Sequence, residues 1–197
     1  MSETRSYPRH VKTDAGDIEF RLMSRADEAA VLTFAQKLPT HDLLFLPRNI
    51  SQPKVLSAWV NEIERGQITS LLAVKGDVVV GCGTLVRDPH SWSPHVGEIR
   101  MVVSQDVRGQ GVGRAISQET FALALGAGLE KLSVQMTVDQ QAAIALFESL
   151  GFKAEALLRD HVRDIGGKKH DIVVLGHNVA QVQAQMEAYG LPGAVQH

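Results

Sequence analysis

Val102-Val103-Ser104-Gln105-Asp106-Val107-Arg108-Gly109-Gln110-Gly111-Val112-Gly113-Arg114-Ala115 is the stretch whose reading decides the fold. An apolar run, Ile99 to Val103 interrupted at Arg100, leads into it, and a long apolar-periodic segment leaves it. That order predicts a strand, a tight loop and a helix. Gly109, Gly111 and Gly113 leave the backbone uncovered, so an anion can approach the N–H groups directly. Amides that open a helix have no partner inside it and sit at the positive end of its dipole. The loop therefore reads as a cradle for a phosphate or pyrophosphate, with Arg108 and Arg114 as flanking charges. The plainer alternative is a structural turn with incidental glycines.

Composition bounds the rest. The 197 residues suffice for one domain with a sizeable core. Hydrophobic residues make up 44% and charged residues 21%, the balance of a soluble globular chain. A net charge of −2 offers no global field to attract nucleic acid. Cys82 is the only cysteine, which excludes an internal disulfide and a cysteine-based metal site. The N-terminus lacks the apolar core of a secretory signal, and no apolar run reaches the roughly 18 residues of a membrane span. A cytoplasmic location, no membrane partner and no metal are expected.

Residues 1–16 are polar and aperiodic and read as a loose lead-in. Ile18, Phe20 and Leu22 alternate with charged neighbours, as a first strand would. Ser24 and Asp27 resemble a capping box before a helix carrying Ala30, Val31, Phe34 and Leu38, which Pro39 ends. After an irregular loop, Ser51 is expected to cap a second helix with Pro53 in its first turn. Its buried stripe is Val55, Leu56, Trp59, Val60 and Ile63. Segments 70–74 and 78–86 form a hairpin around Lys75-Gly76-Asp77, and Gly81 and Gly83 suggest a bulge or a close backbone approach. A loop from Arg87 to Pro94 precedes the strand that delivers the glycines. The helix after the loop is largely buried. Leu132, Val134, Met136 and Val138 alternate as a strand, Gln140 to Leu150 forms a helix, and a final hairpin turns at Ile165-Gly166-Gly167. Asn178 can cap a last amphipathic helix, with Val179, Val182 and Met186 on its apolar side.

The order is β-α-α-β-β-β-α-β-α-β-β plus a C-terminal helix. This predicts an α/β protein with a mostly antiparallel, twisted mixed sheet and helices on both faces. One domain over residues 17–177 is expected, with the last helix and tail over 178–197. That helix packs on its own domain or, with a slight preference, on a second copy as a homodimer contact.

Three phosphate-loop patterns compete for the glycines. A Walker loop, G-x-x-x-x-G-K-[ST], has no match. A dinucleotide fingerprint fails because the acidic residue about 20 positions on is Glu130, just before a strand rather than at the end of one. R-x-x-G-x-G after a strand end of the form L-x-V fits Arg108, Gly111 and Gly113 behind Met101-Val102-Val103. That pattern resembles the acetyl-coenzyme A loop of the GNAT superfamily of N-acetyltransferases. A second motif agrees: Gln140 to Phe152 is similar to the family's N-x-x-A-x-x-L-Y-x-x-x-G-F, with Ala143, Leu146, Gly151 and Phe152 matching. Gln140 replaces the usual Asn and Phe147 the usual Tyr. The resemblance spans about residues 18–176, and the element order is the family's.

The resemblance implies an enzyme, an acyltransferase that moves the acetyl group of acetyl-coenzyme A directly to an amine. It implies that the backbone of Met101, Val102 and Val103 pairs with the pantetheine arm. The amides of Arg108, Gly109, Gln110, Gly111, Val112, Gly113 and Arg114 would hold the pyrophosphate, with Gln140 and Phe147 beside the pantetheine and thiol end. Relatives place a catalytic carboxylate on the strand before the loop, which makes Glu98 the candidate base. Its plain alternative is an ion pair with Arg100. His95, His90 and Asp42 are weaker candidates. Cys82 reads as a buried small hydrophobe rather than a nucleophile. Phe147 cannot protonate the departing thiolate as a Tyr would. The irregular loops should build the acceptor pocket, with Phe45, Arg48, His90 and Trp92 as candidate substrate-binding residues. The acceptor, a small-molecule or protein amine, is not identified by the sequence. The opposing reading is a non-catalytic acyl-coenzyme A binding or sensing module, which Phe147 motivates.

Overall fold

The computed structural model describes residues 5–46 and 48–179. Eight strands form one sheet in the spatial order β1 (Arg9–Thr13), β2 (Gly16–Leu22), β3 (Ile68–Lys75), β4 (Val78–Arg87), β5 (Val96–Val103), β6 (Lys131–Thr137), β8 (Lys169–Asn178), β7 (Lys153–Arg163). Every neighbouring pair is antiparallel except β5 and β6. A parallel pair cannot be joined by a tight turn, and α3 (Val112–Gly126) supplies the crossover.

Strand alternation sorts the core into two layers. Leu72, Val74, Cys82 and Val102 face α1 (Glu28–Lys37) and α2 (Pro53–Glu64), packing with Val31, Phe34, Leu56 and Val60. Leu71, Ala73 and Val80 face α3, packing with Val112, Ala115 and Ile116. Helix α4 (Gln141–Ser149) joins the α3 layer through Phe147, Ala143 and Ile144. The expected α/β architecture with helices on both faces is the one observed.

Gly81 and Gly83 show why the second hairpin strand carries glycines. A Cβ on Gly83 would fall inside contact distance of Thr120 Oγ1 and 2.7 Å from Ile116 Cγ2, and one on Gly81 would strike Ile116 Cδ1. Helix α3 thus lies directly on the β4 backbone. A bulge is present as well: Ala73 faces Gly81 but Val74 faces Val79, leaving Val80 over. Gly83→Val is expected to destabilise the fold by about 2 kcal/mol, the usual cost of overpacking. A fall in the denaturation midpoint with an unchanged m-value checks it, and an unaltered midpoint would show that α3 yields.

Two local expectations need correction. The lead-in is not loose, because Arg9–Thr13 is an edge strand paired along β2. Apolar alternation did not reveal it because polar anchors hold it. The buried Glu119 of α3 accepts hydrogen bonds from Arg5 (2.6 Å) and from the Tyr7 hydroxyl (3.0 Å), with Arg9 3.6 Å away. Ser51 does not cap α2; its N–H and hydroxyl both donate to Asn49 Oδ1, and Gln52 is the N-cap. Asn178 ends β8, and Val179 directly after it is helical, which is where the expected last helix would begin. The expected last helix, and with it the dimer contact, lies outside the described residues beyond Val179. The Ser24–Asp27 pairing is present, with the Asp27 carboxylate accepting from the Ser24 amide at 2.9 Å and its hydroxyl at 3.0 Å.

Candidate active site

The site begins with a missing ladder. Strand β5 pairs with β6 only over Val96, Gly97 and Glu98, opposite Lys131, Leu132 and Ser133. Beyond Glu98 it keeps β4 on one side and has no strand partner on the other. The Ser104 amide donates to Val80 O at 2.8 Å, which sets the phase of the β4 ladder. Main-chain groups alternate in direction along a strand, so those of Arg100 and Val102 bond β4. Those of Met101 and Val103 point into the gap. Val103 O confirms the direction, because Arg108 Nη2 donates to it at 3.2 Å. An extended chain bearing amides could pair with this edge as a further strand would.

The glycine loop closes one end of the gap. Gly109 and Gly111 adopt φ of +71° and +82°, a region that disfavours side chains, and Gly111 is the N-cap of α3. The first helical N–H to reach a carbonyl is that of Ala115, on Gly111 O. Among the described residues, the amides of Gly109 to Arg114 meet no acceptor. The Val112 side chain is buried in the core, which fixes how the helix presents those amides. Gln110 Nε2 closes the loop on Asp106 O at 2.9 Å, and Arg114 reaches Ser149 Oγ at 3.0 Å, tying α3 to α4. Arg108 also pairs with Asp42 at 2.5 Å. Gly113 lies where α3 passes α4: a Cβ there would lie 3.7 Å from Leu146 and 3.9 Å from Val103.

At the far side of the gap, Gln140 Oε1 is buried without a hydrogen-bond partner among the described residues. A buried acceptor left unpaired is costly, so it marks a place for a donor from outside the chain. Phe147 is only 4% exposed and stands edge-on to Phe152, ring centroids 5.2 Å apart. Its ring belongs to the core, with no hydroxyl to offer. Cys82 is buried as well, and burial pushes its thiol up to about 12, which leaves it no thiolate to attack with.

Glu98 forms a two-point ion pair with Arg100, Nε to Oε1 at 2.8 Å and Nη2 to Oε2 at 3.0 Å. The two side chains share the α1/α2 face of β5 because they are two residues apart. On that face a cavity of about 560 Å³ opens between α2 and the sheet, within the range of small-molecule sites. Arg48 and His90 both line it. Trp92 does not: the Asp88 carboxylate turns the loop by accepting the His90 amide at 2.9 Å, and Trp92 stands fully exposed beyond it. The Phe45 side chain lies outside the described residues.

Other residues of the site escaped the sequence reading. Thr84, Arg87 and Arg100 join the cavity lining, and Trp59, expected in the core, forms part of its wall. Alternation along β5 could have placed Arg100 there. His41 Nε2 lies 3.1 Å from Asp139 Oδ2, and its ring is edge-on to His170, whose Nε2 lies 2.8 Å from Asp164 Oδ2. One donor atom each from His41, Asp139 and His170 lie within 4.8 Å of one another. The short turn Thr40–Phe45 that carries His41 packs across β5 and β6, so the cluster stands at the gap. No local pattern could have joined these residues, which are far apart in the sequence.

Two features set this fold apart: a sheet opened between its two parallel strands, and a helix start with bare amides beside the opening. The model of the acetyltransferase (GNAT) family matches residues 38–152, more than half the chain, and the chain belongs to that family. It is 33% identical over 84 residues to the mouse protein "Probable N-acetyltransferase family 8 member 5", covering 42% of this chain and 37% of that one. It is 29% identical over 83 residues to the Bacillus subtilis "Putative phosphinothricin acetyltransferase YwnH", covering 42% and 50%. The chain thus spans half or less of the length of these two relatives. Among solved structures, a GNAT-family acetyltransferase from Streptococcus pneumoniae superposes with a TM-score of 0.71 at 19% identity, over 82% of this chain and 99% of that one. YncA from Salmonella typhimurium, solved with acetyl-CoA, superposes at 0.69 and 19% identity, over 82% and 94%. Among the described residues no helix is long and apolar enough to cross a membrane.

Proposed function

We propose that the chain is an N-acetyltransferase that moves the acetyl group of acetyl-coenzyme A directly to an amine. The observation that carries this is the free inner edge of β5 ending on unpaired helix-start amides. The residues present fit the carrier. The amides of residues 109–114 would hold the pyrophosphate, the expected Arg108 amide being already donated to Gln105 O at 3.2 Å; the Met101 and Val103 main chain would hold the pantetheine amides, and Gln140 Oε1 an N–H of that arm. When bound, the thioester supplies the acetyl group.

The chain's own part is to place the amine and handle protons. An alkyl ammonium with pKa near about 10.4 must lose a proton, which costs about 4.6 kcal/mol at pH 7. Glu98 is the proposed acceptor of that proton. Arg100 occupies one site on each of its oxygens, and a carboxylate has about four, so the pair leaves room for a water or an amine. Attack of the free amine would form the N–C bond and break the C–S bond; the ammonium's first proton goes to Glu98, and the second, shed by the acylated nitrogen, goes to water. The leaving thiolate, with pKa near about 8.5, takes its proton from water, because Phe147 has none to give. With its lone cysteine buried, the protein is proposed to work in the cytoplasm.

Phe147 favours one second reading, a module that binds acyl-coenzyme A without turning it over. Incubation with acetyl-coenzyme A and a panel of amines, reading thiol release and acetylated product, separates the two. Turnover on at least one amine is expected. Tight binding with no turnover on any amine would favour the sensor, and absence of binding would end both.

A further inference from the structure

The cavity beside β5 carries more positive charge than its own ion pairs consume. Arg48 is held by Glu62 at 2.8 Å and Arg100 by Glu98. Arg65 and Arg87 also line the cavity, both exposed, and among the described residues neither meets a carboxylate. The register explains why both reach this cavity. Ile68 pairs with Val86, so residues 65–67 entering β3 and Arg87 leaving β4 reach the same end of the sheet. Asp88, the remaining acid of the lining, is turned onto the His90 amide. The wall between these charges is apolar, with Trp59, Val55 and Val86. Thr84 and Arg100 stand opposite each other in the register, and both line the cavity, one residue from Met101.

We infer that the acceptor is an amine carrying an anionic group on an apolar body, such as a carboxylate, with the anion held by Arg65 and Arg87 and the amine directed at β5. Guanidinium groups grip carboxylates with paired, planar hydrogen bonds, and an apolar wall excludes competing water. A polyamine or a bare lysine side chain would bring further positive charge to a rim that is already cationic. This inference rests on the acetyltransferase reading, since it takes the cavity as the acceptor's seat.

The test compares free L-amino acids with their carboxamides, which keep the amine and the side chain and lose the anion. With acetyl-coenzyme A saturating, the free acids are expected to show kcat/KM higher by at least about tenfold, mostly through KM. Arg65→Glu with Arg87→Glu should erase or invert that preference, while calorimetric affinity for acetyl-coenzyme A stays unchanged. Equal or better use of carboxamides by the unaltered protein, or a preference untouched by the charge reversals, would overturn the inference alone. If no amine is turned over, calorimetry with N-acetyl-L-phenylalanine and its amide reads the same cavity directly. Preference for the acid that disappears in the double variant then supports the anion seat although the enzymatic reading has failed. No preference overturns both.

Discussion

Gly111→Glu is expected to lower affinity for acetyl-coenzyme A by at least about 10³-fold while the protein still unfolds cooperatively. Two effects compete in this substitution. Gly111 has φ of +82°, so any L residue there is strained, at a cost of about 1–2 kcal/mol to stability. Space is not the difficulty, since the nearest atom to a new Cβ would be Thr13 Cβ at 3.7 Å. The second effect is charge. A carboxylate about 4 Å from one phosphate charge costs about 4 kcal/mol at an effective dielectric of about 20, and the pyrophosphate carries more than one. Repulsion falls on binding alone, whereas strain falls on folding. Gly111→Gln separates them, because it carries the same strain and nearly the same size without the charge. Isothermal calorimetry on both variants, with denaturant titrations alongside, gives the answer. Glu and Gln variants that bind alike would show that no anion sits at these amides, and the assigned loop would be wrong.

How much of this could be read beforehand follows from where the determining contacts lie. The strand, loop and helix around Gly109–Gly113 announce themselves within one short segment, because glycine spacing and apolar period are local properties. The order of elements implied a mostly antiparallel mixed sheet with helices on both faces, but not which pair runs parallel. β1 stayed hidden because it has no apolar run, and the residues leading into it are anchored on Glu119, buried on a helix more than a hundred residues away. The same holds at the acceptor side. Arg48, His90 and Trp92 share the same mark in the sequence, a place in a loop, yet one Asp88 turn places Trp92 in solvent. Arg65 and Arg87 reach one cavity only through the Ile68–Val86 register, and His41 meets Asp139 only because the turn Thr40–Phe45 lies across two diverging strands. Local patterns carry the scaffold and the carrier loop. The cavity beside β5 is assembled from tertiary contacts, which no spacing rule encodes.

The second large effect concerns the proton. Glu98→Gln is expected to lower kcat by about 10²-fold at pH 7, the low end of what a positioned base contributes, with little change in acetyl-coenzyme A affinity. The pH profile carries more information than the rate. With a carboxylate as base, kcat/KM should level off once that group is ionised. Without it, the rate should climb about tenfold per pH unit toward the amine's own pKa near about 10.4, because only free amine then attacks. Glu98→Gln also releases Arg100 from its ion pair, so the loss could reflect a displaced guanidinium rather than a missing base. Arg100→Lys tests that: it removes the two-point pair, keeps a positive charge and leaves the carboxylate. A normal profile with a raised KM in Arg100→Lys, beside a sloping profile in Glu98→Gln, assigns proton removal to Glu98. If Glu98→Gln keeps the plateau and His41→Gln loses it, the imidazole held by Asp139 is the base, and Glu98 serves only to hold Arg100 in place.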